Sequence, residues 1–221
     1  MQAQKVLVWD WPVRLMHWSL VILFTGLIIT GKSDGDFMEL HFYFGYGLSA
    51  VIIARVIYGF IGSDFARFKQ FIYHPVDVFK YSKTLLIGKG EEYLGHNPVG
   101  GVMVILLLLA LTAQWGSGLF TSDEIFWFGP FYGSISDEMT AQLGSVHHFL
   151  PNILLALVAL HILAVLYHEV RFKERLVAAM LHGKKPNRGE SSETIQTPRV
   201  GTVLSLGLAL AWLVWLWNIP V

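Results

Sequence analysis

Several of the nine histidines lie within or at the ends of long apolar runs. Four of these are the main candidates for chemistry: His17, His41, His147 and His161. An ionisable side chain is costly inside such a run, so each of these residues needs an explanation. A neutral imidazole there either forms a hydrogen bond to a neighbouring helix or ligates a metal ion. The residue type leaves both interpretations open, and the spacing favours the second.

Two of these histidines share one apolar run and are 14 residues apart. Over that length an α-helix rises about 21 Å and returns to within about 40° of the same face. His147 and His161 would therefore point to one side of a helix, one near each surface of a membrane. The other two lie at matching depths. His17 is near the end that holds His161, and His41 is near the end that holds His147.

Two level pairs of imidazoles predict two haem groups. A haem iron can take one histidine on each side of the ring, and filling both positions suits electron transfer rather than oxygen chemistry. The neighbouring His148 is an alternative to His147, although it would point about 100° away from it. The sequence has no cysteine. This absence excludes c-type haem attachment, iron–sulfur ligation and a thiol nucleophile.

Two arginines are candidates for binding the haem propionates. Arg55 follows His41 by 14 residues, so it shares that helix face and lies at the depth of the inner pair. A charged arginine at this depth should face an anionic group, and the alternative is that its side chain extends to the inner headgroups. Arg14, near the start of the first run, is the second candidate.

The elements that must position these residues are membrane-spanning helices. Hydrophobic residues make up 54% of the chain and charged residues only 14%, whereas soluble domains have about 45–50% and 25%. The excess lies in runs of about the length that spans a bilayer. We therefore expect an all-α integral membrane protein and not a water-soluble enzyme. Its spans are about Val13–Thr30, His41–Gly62, Val99–Leu119, Ser145–Tyr167 and Val200–Asn218.

Lysine and arginine predict the orientation. If the spans alternate, 14 basic residues fall on one side and only Lys32 on the other. The positive-inside rule then places the N-terminus in the cytoplasm and the C-terminus on the opposite side of the membrane.

The segments between the spans carry weaker patterns. Apolar residues within residues 63–98 predict a helix lying in the membrane interface, with Pro75 near its start. Arg171–Leu181 reads as a helical extension into the cytoplasm. The predicted organisation is a di-haem membrane domain over residues 1–185, a polar cytoplasmic linker over 186–199 and an additional transmembrane helix over 200–218.

Several motifs resemble the bacterial cytochrome b561 family, which includes the b-type cytochrome subunits of membrane nickel–iron hydrogenases. The opening V-W-D-W-P-V-R-L-M-H-W occupies Val8–Trp18, and H-F-Y-F-G-Y occupies His41–Tyr46. G-H-N-P-V-G-G occupies Gly95–Gly101, and His147 and His161 complete the resemblance. It covers roughly residues 5–185.

This resemblance implies a four-helix bundle with two haems b, in which His17 pairs with His161 and His41 with His147. It implies electron exchange between the quinone pool and a periplasmic redox partner, either a c-type cytochrome or a dehydrogenase or hydrogenase subunit. A quinone would approach the inner haem near His161, in the vicinity of His96, Asn97 or His168. The fifth span is an addition to the four-helix pattern.

Two other functions share parts of this pattern. One is a stand-alone quinone oxidoreductase that acts on a small oxidant such as superoxide and needs no protein partner. The other is a haem-free transporter or assembly subunit whose histidines are structural. An optical spectrum distinguishes a haem-free subunit from a cytochrome. Turnover of quinone and oxidant without a protein partner distinguishes a stand-alone oxidoreductase from an electron-transfer subunit.

Overall fold

Five long apolar helices dominate the computed structural model, which describes residues 5–33, 37–122, 126–186 and 196–219. Each is long and apolar enough to cross a membrane, and together they confirm the five predicted spans to within a few residues at most ends. Two shorter α-helices, two short 3-10 helices (Asp64–Ala66 and Phe68–Gln70) and a two-stranded ribbon complete the described structure. In chain order the elements are β1 (Lys5–Leu7), α1 (Trp11–Thr30), α2 (Met38–Ile61), α3 (Pro75–Leu86), α4 (Pro98–Gly118), α5 (Asp137–Arg171), α6 (Leu176–His182), β2 (Lys184–Pro186) and α7 (Arg199–Trp217).

Local capping explains where several helices begin. The Asn97 side chain accepts a hydrogen bond from the Gly100 N–H at 2.7 Å, which caps α4. The Ser136 hydroxyl accepts one from the Met139 N–H at 3.3 Å. This cap starts α5 at Asp137, eight residues before the predicted span, since a helix can extend beyond the apolar run when its first turn is capped and acidic.

The segment after α2 contains the predicted interfacial helix. α3 begins at Pro75, and the His74 side chain accepts a hydrogen bond from the Val76 N–H. Exposed apolar side chains lie along it, at Val76, Phe79 and Leu86. This pattern is typical of a helix lying at a membrane surface.

The predicted continuous extension over Arg171–Leu181 is wrong in part. α5 ends at Arg171 and α6 begins only at Leu176. Between them Lys173 has a φ of 59°, a left-handed conformation that an α-helix of L-residues does not continue.

The predicted linker also begins differently, because Pro186 belongs to strand β2. β2 pairs antiparallel with β1, a ribbon that the sequence did not predict. The middle of that linker, residues 187–195, lies outside the described residues.

The chain divides into two compact units. Unit 1 comprises Met1–Leu15, Val56–Leu106 and Leu157–Val203. Its interior contains a buried carboxylate, Asp10, which accepts a hydrogen bond from the hydroxyl of the fully buried Tyr58. Thr202 of α7 is also a hydrogen-bond partner of Tyr58. These contacts satisfy the buried carboxylate and join the start of α1 to α2 and α7.

Unit 2 comprises Met16–Arg55, Leu107–Ala156 and Leu204–Val221. Its core contains Tyr46, Leu119 and Leu216, the last with 0% exposure. The Trp212 indole donates a hydrogen bond to the Ser49 hydroxyl at 2.9 Å, and Trp217 stacks on the Tyr43 ring with centroids 4.7 Å apart. One side of the fifth helix therefore packs against the core of this unit.

Candidate functional site

Two of the predicted ligands face each other within unit 2. The rings of His41, at the start of α2, and His147, on α5, have centroids 6.3 Å apart and planes at 84°. Both side chains are half-buried. The structure thus brings together the pair that was predicted for the outer membrane surface.

The Nδ1 edge of His41 is bound to the end of α1. Thr30 Oγ1 lies 3.0 Å from His41 Nδ1, and the Thr30 hydroxyl donates its own hydrogen to the Gly26 carbonyl at 2.8 Å. The Thr30 oxygen therefore accepts from the imidazole. The Leu27 carbonyl is a further partner of the same ring. Because the proton sits on Nδ1, His41 Nε2 keeps its lone pair for a metal ion.

The Nδ1 edge of His147 is bound in the same way to the end of α4. Its Nδ1 lies 2.9 Å from the Gln114 carbonyl oxygen, which can only accept. The Gln114 side-chain amide donates to the His147 carbonyl at 3.0 Å and lies 3.4 Å from Nε2. Here too the imidazole proton sits on Nδ1, so the lone pair is on Nε2, where a metal ion could replace the Gln114 amide as its partner.

A glycine backs each of the two rings. A Cβ added to Gly31 would lie 3.0 Å from His41 Cε1, and one added to Gly118 would lie 2.7 Å from His147 Cε1. Both distances are shorter than ordinary van der Waals contact. Each ring therefore occupies space that only glycine leaves open, which restricts its orientation.

The spacing of the two rings fits a shared iron atom. A metal–imidazole bond is about 2.0 Å long and a ring nitrogen is about 1.1 Å from the ring centre, so two imidazoles on opposite sides of one iron have centres about 6.2 Å apart. The observed separation is 6.3 Å. The pair, with both Nε2 atoms unprotonated, therefore has the donor chemistry that haem iron requires.

A family model for prokaryotic cytochrome b561 matches residues 8–183. The chain belongs to the prokaryotic cytochrome b561 family. It is accordingly a b-type, haem-binding cytochrome of electron transport, and its five apolar helices make it a multi-pass integral membrane protein.

Curated relatives of this cytochrome cover most of its length. A "Probable Ni/Fe-hydrogenase B-type cytochrome subunit" of Rhizobium leguminosarum bv. viciae is 24% identical, over 83% of this chain and 90% of its own. Proteins of the same name from Rhodobacter capsulatus and Azotobacter vinelandii are 22% and 25% identical. They cover 86% and 80% of this chain and 84% and 87% of their own length, respectively. No solved structure matches the chain at a significant level.

The alternative ligand His148 lies in a different environment from His147. It is exposed, whereas His147 is half-buried beside His41. The two neighbouring rings have centroids 6.2 Å apart and planes at 80°. These environments favour His147 as the ligand.

The inner candidates belong to different units of the cytochrome. His17 lies on α1 in unit 2, with its ring 5.2 Å from the Trp18 ring. His161 lies on α5 in unit 1, on the same helix as His147, which confirms that one uninterrupted helix carries both. Both inner histidines are half-buried.

The two candidate arginines differ in their surroundings. Arg55, on α2, is buried with 7% exposure, which is unusual for a guanidinium and requires polar partners. Arg14 donates a hydrogen bond from Nη1 to the Leu181 carbonyl at 2.6 Å. At least part of the Arg14 side chain therefore serves to cap α6.

Of the residues predicted near a quinone, His96 lines a cavity of about 250 Å³ in unit 1. Its ring packs between Trp9 and Phe71, at centroid distances of 4.7 and 4.6 Å. Burial raises the pKa of two tyrosines that also line this cavity, Tyr73 and Tyr93, and nearby Glu91 raises that of Tyr93 further. Their hydroxyls therefore stay protonated at neutral pH and can donate hydrogen bonds.

The other two quinone candidates have partners of their own. Asn97 uses its side-chain oxygen to cap α4. His168 is buried, with 4% exposure, and its Nδ1 lies 3.1 Å from Glu174 Oε1. The structure thus places His168 in the interior of unit 1.

Proposed function

We propose that the cytochrome carries two haems b, one held by His41 and His147 and one by His17 and His161. It would transfer electrons across the bacterial inner membrane between the quinone pool and a redox partner at the periplasmic surface. The observation that carries the proposal is the His41–His147 pair, whose 6.3 Å spacing suits a shared iron. A six-coordinate haem, when bound, gains or loses one electron while binding no substrate.

The residues around the outer pair would orient the ligands. The Thr30 hydroxyl and the Gln114 carbonyl accept from the two Nδ1–H groups, which fixes the tautomers and leaves a lone pair on each Nε2. Accepted hydrogen bonds of this kind also make the imidazole a more basic ligand.

Support for the inner pair comes from the sequence and from the α5 face. Counting along α1 and α5 places His17 and His161 at the same depth. On α5, Val165 and His168 are buried or half-buried like His161, while Ile162, Leu163 and Leu166 are exposed. His161 therefore lies on the protein-facing side of the helix. We assign Arg55 and Arg14 to the propionates in this proposal.

The partner is inferred from the relatives. Because they are named as hydrogenase cytochrome subunits, we propose a hydrogenase or related dehydrogenase as the electron donor or acceptor, with a c-type cytochrome as the alternative. The basic residues place the N-terminus in the cytoplasm and the C-terminus in the periplasm. The cavity lined by His96 is the proposed approach of the quinone, with Asn97 and His168 as further candidates.

Haem stoichiometry of single and double variants tests the ligand assignment. The wild type should contain two haems per chain, and alanine at any of the four ligands should remove about one. His148→Ala, at an exposed neighbour of His147, is the matched control and should keep both haems.

Double variants test the pairing itself. His41→Ala with His147→Ala should keep one haem, because both changes affect the same iron. His41→Ala with His161→Ala should keep none. If the first combination loses both haems while the chain remains folded, the pairing is wrong, and absence of a reduced b-type spectrum in the wild type would end the proposal.

A further inference from the structure

Three titratable side chains form a buried cluster in unit 1, away from all four proposed ligands. His168 Nδ1 lies 3.1 Å from Glu174 Oε1. Glu174 Oε2 lies 3.8 Å from Lys185 Nζ, and the Glu174 and Lys185 side chains are only 12% and 11% exposed. Lys185 Nζ also donates to the Tyr93 carbonyl at 3.0 Å. The cluster thus joins the end of α5, the α5–α6 connection and strand β2.

A buried ion pair of this kind usually adds little to the stability of a fold. The free energy lost when its charges leave water often cancels their attraction, so apolar residues of similar size would usually give the same stability. Burial lowers the pKa of the Lys185 ammonium, and the Glu174 and Glu92 carboxylates partly offset this. The third member is a histidine, the side chain that ordinarily titrates between pH 5 and 8.

The geometry determines where a proton would bind. The carboxylate of Glu174 can only accept, so His168 Nδ1 carries a hydrogen and donates it. Proton gain and loss therefore occur at His168 Nε2. With ionised Glu174 and Lys185, the cluster is neutral when His168 is neutral and carries one positive charge when His168 is protonated.

The cluster lies on the same helix face as a proposed ligand. His168 follows His161 by seven residues, which returns it to within about 20° of the same face and about 10 Å along the axis. At that distance a unit charge changes the affinity of a buried site for a proton by about tenfold, for an effective dielectric constant of about 20.

We propose that His168, Glu174 and Lys185 form a proton-binding site that takes up one proton when the cytochrome is reduced and releases it on oxidation. This inference rests on the proposed function, because it requires His161 to hold the inner haem. One electron enters the haem site, one N–H bond forms at His168 Nε2, and the proton comes from cytoplasmic water. On oxidation both leave, so charge and protons balance over a cycle.

The cavity of unit 1 adjoins the cluster on the side of Lys185, where a proton could be exchanged with water. The Tyr93 residue that binds Lys185 lines the 250 Å³ cavity together with the exposed Glu91 and Glu92. Other ionisable groups lie near the cluster. The Glu92 carboxylate acts on the Lys185 ammonium, and the Tyr167 ring lies 6.1 Å from the His168 ring. The pKa of Tyr81 is raised by burial and by the charge of Glu174, so Tyr81 stays protonated at neutral pH.

The test is the pH dependence of the haem midpoint potentials, measured by spectroscopic redox titration between pH 5 and 9. In the wild type, the potential of one haem should fall by about 60 mV in total as the pH rises through the titration of His168, the equivalent of the tenfold coupling. In His168→Gln this haem should be independent of pH. His182→Gln, at an exposed histidine of the same unit, should behave like the wild type.

Two further variants keep the test decisive even if His168→Gln does not fold. Glu174→Gln removes the negative charge beside the imidazole, so the potential change should move to lower pH. Lys185→Met removes the positive charge, so the change should move to higher pH. A purely structural cluster would produce neither opposite shift.

The results also separate failure of this inference from failure of the proposed function. Two pH-independent haems in the wild type, or an unchanged pH dependence in His168→Gln, would overturn the proton site while leaving the di-haem assignment intact. A wild type with fewer than two haems would instead remove the proposed function, and this inference with it.

Discussion

Replacing Gly118 by alanine tests the outer haem site without touching a ligand. The new Cβ would lie 2.7 Å from His147 Cε1 and 3.0 Å from Nδ1. Ordinary contact begins at 3.4 Å, so the ring must retreat by about 0.7 Å, whereas metal–ligand distances tolerate only about 0.2 Å. The ring cannot yield freely, because its Nδ1 is bonded to the Gln114 carbonyl at 2.9 Å. We therefore expect Gly118→Ala to lose most of the outer haem, the result that we also expect for His147→Ala.

A control two residues away makes this prediction sharp. Nothing lies within 4 Å of a Cβ added to Gly116 on the same helix. Gly116→Ala should keep both haems and be equally or more stable, since alanine favours a helix by up to about 1 kcal/mol over glycine. The assay is haem per chain in purified protein, with the melting temperature measured in parallel. Two intact haems with an unchanged spectrum in Gly118→Ala would refute the reasoning.

Three other changes test separate contacts. Thr30→Val removes an acceptor from His41 Nδ1 and should weaken haem affinity by about 10–100-fold, measured by haem transfer to an acceptor protein. The control Thr25→Val, whose hydroxyl donates to the Val21 carbonyl of the same helix, should not weaken it. Trp212→Phe breaks the bond to Ser49 and should destabilise the protein by about 1 kcal/mol in thermal unfolding, with both haems retained. Burial raises the pKa of Tyr81. The protonated hydroxyl therefore contributes to stability below about pH 10, and this contribution is lost as the pH rises further. Tyr81→Phe should reduce the loss of unfolding free energy at high pH.

The helices were predictable because lipid leaves a long apolar segment few alternatives. A backbone without water must satisfy its own hydrogen bonds, so each run became a helix at nearly the predicted position. The exception was the start of α5, where Ser136 and the acidic first turn extend the helix by eight residues beyond the apolar run. The β1–β2 ribbon was missed because two three-residue strands in polar sequence carry no periodic pattern.

Of this site, only the two histidines were predictable from the sequence. Spacing identified His41 and His147, and the structure brings them together. The partners that orient them, Thr30 and Gln114, have no signal in a single sequence, because a threonine or glutamine in a helix has many other uses. Gly118 is identified as a neighbour of His147 only by the packing in the structure.

His168 shows why helix periodicity alone misjudges some residues. Glu174 is six residues further along, and on a continuous helix it would lie on the opposite side and about 9 Å away along the axis. The left-handed Lys173 ends the helix and turns the chain back, so that the Phe172 and Glu174 N–H groups both donate to the His168 carbonyl, at 3.0 and 3.4 Å. The Glu174 carboxylate then reaches the imidazole, and β2 adds Lys185. Since the break in the helix at Lys173 creates this cluster, a continuous helix at this position should separate Glu174 from His168. Deleting Lys173 would be expected to abolish the pH-dependent potential, whereas Lys173→Gly, which favours the same left-handed backbone, should preserve it.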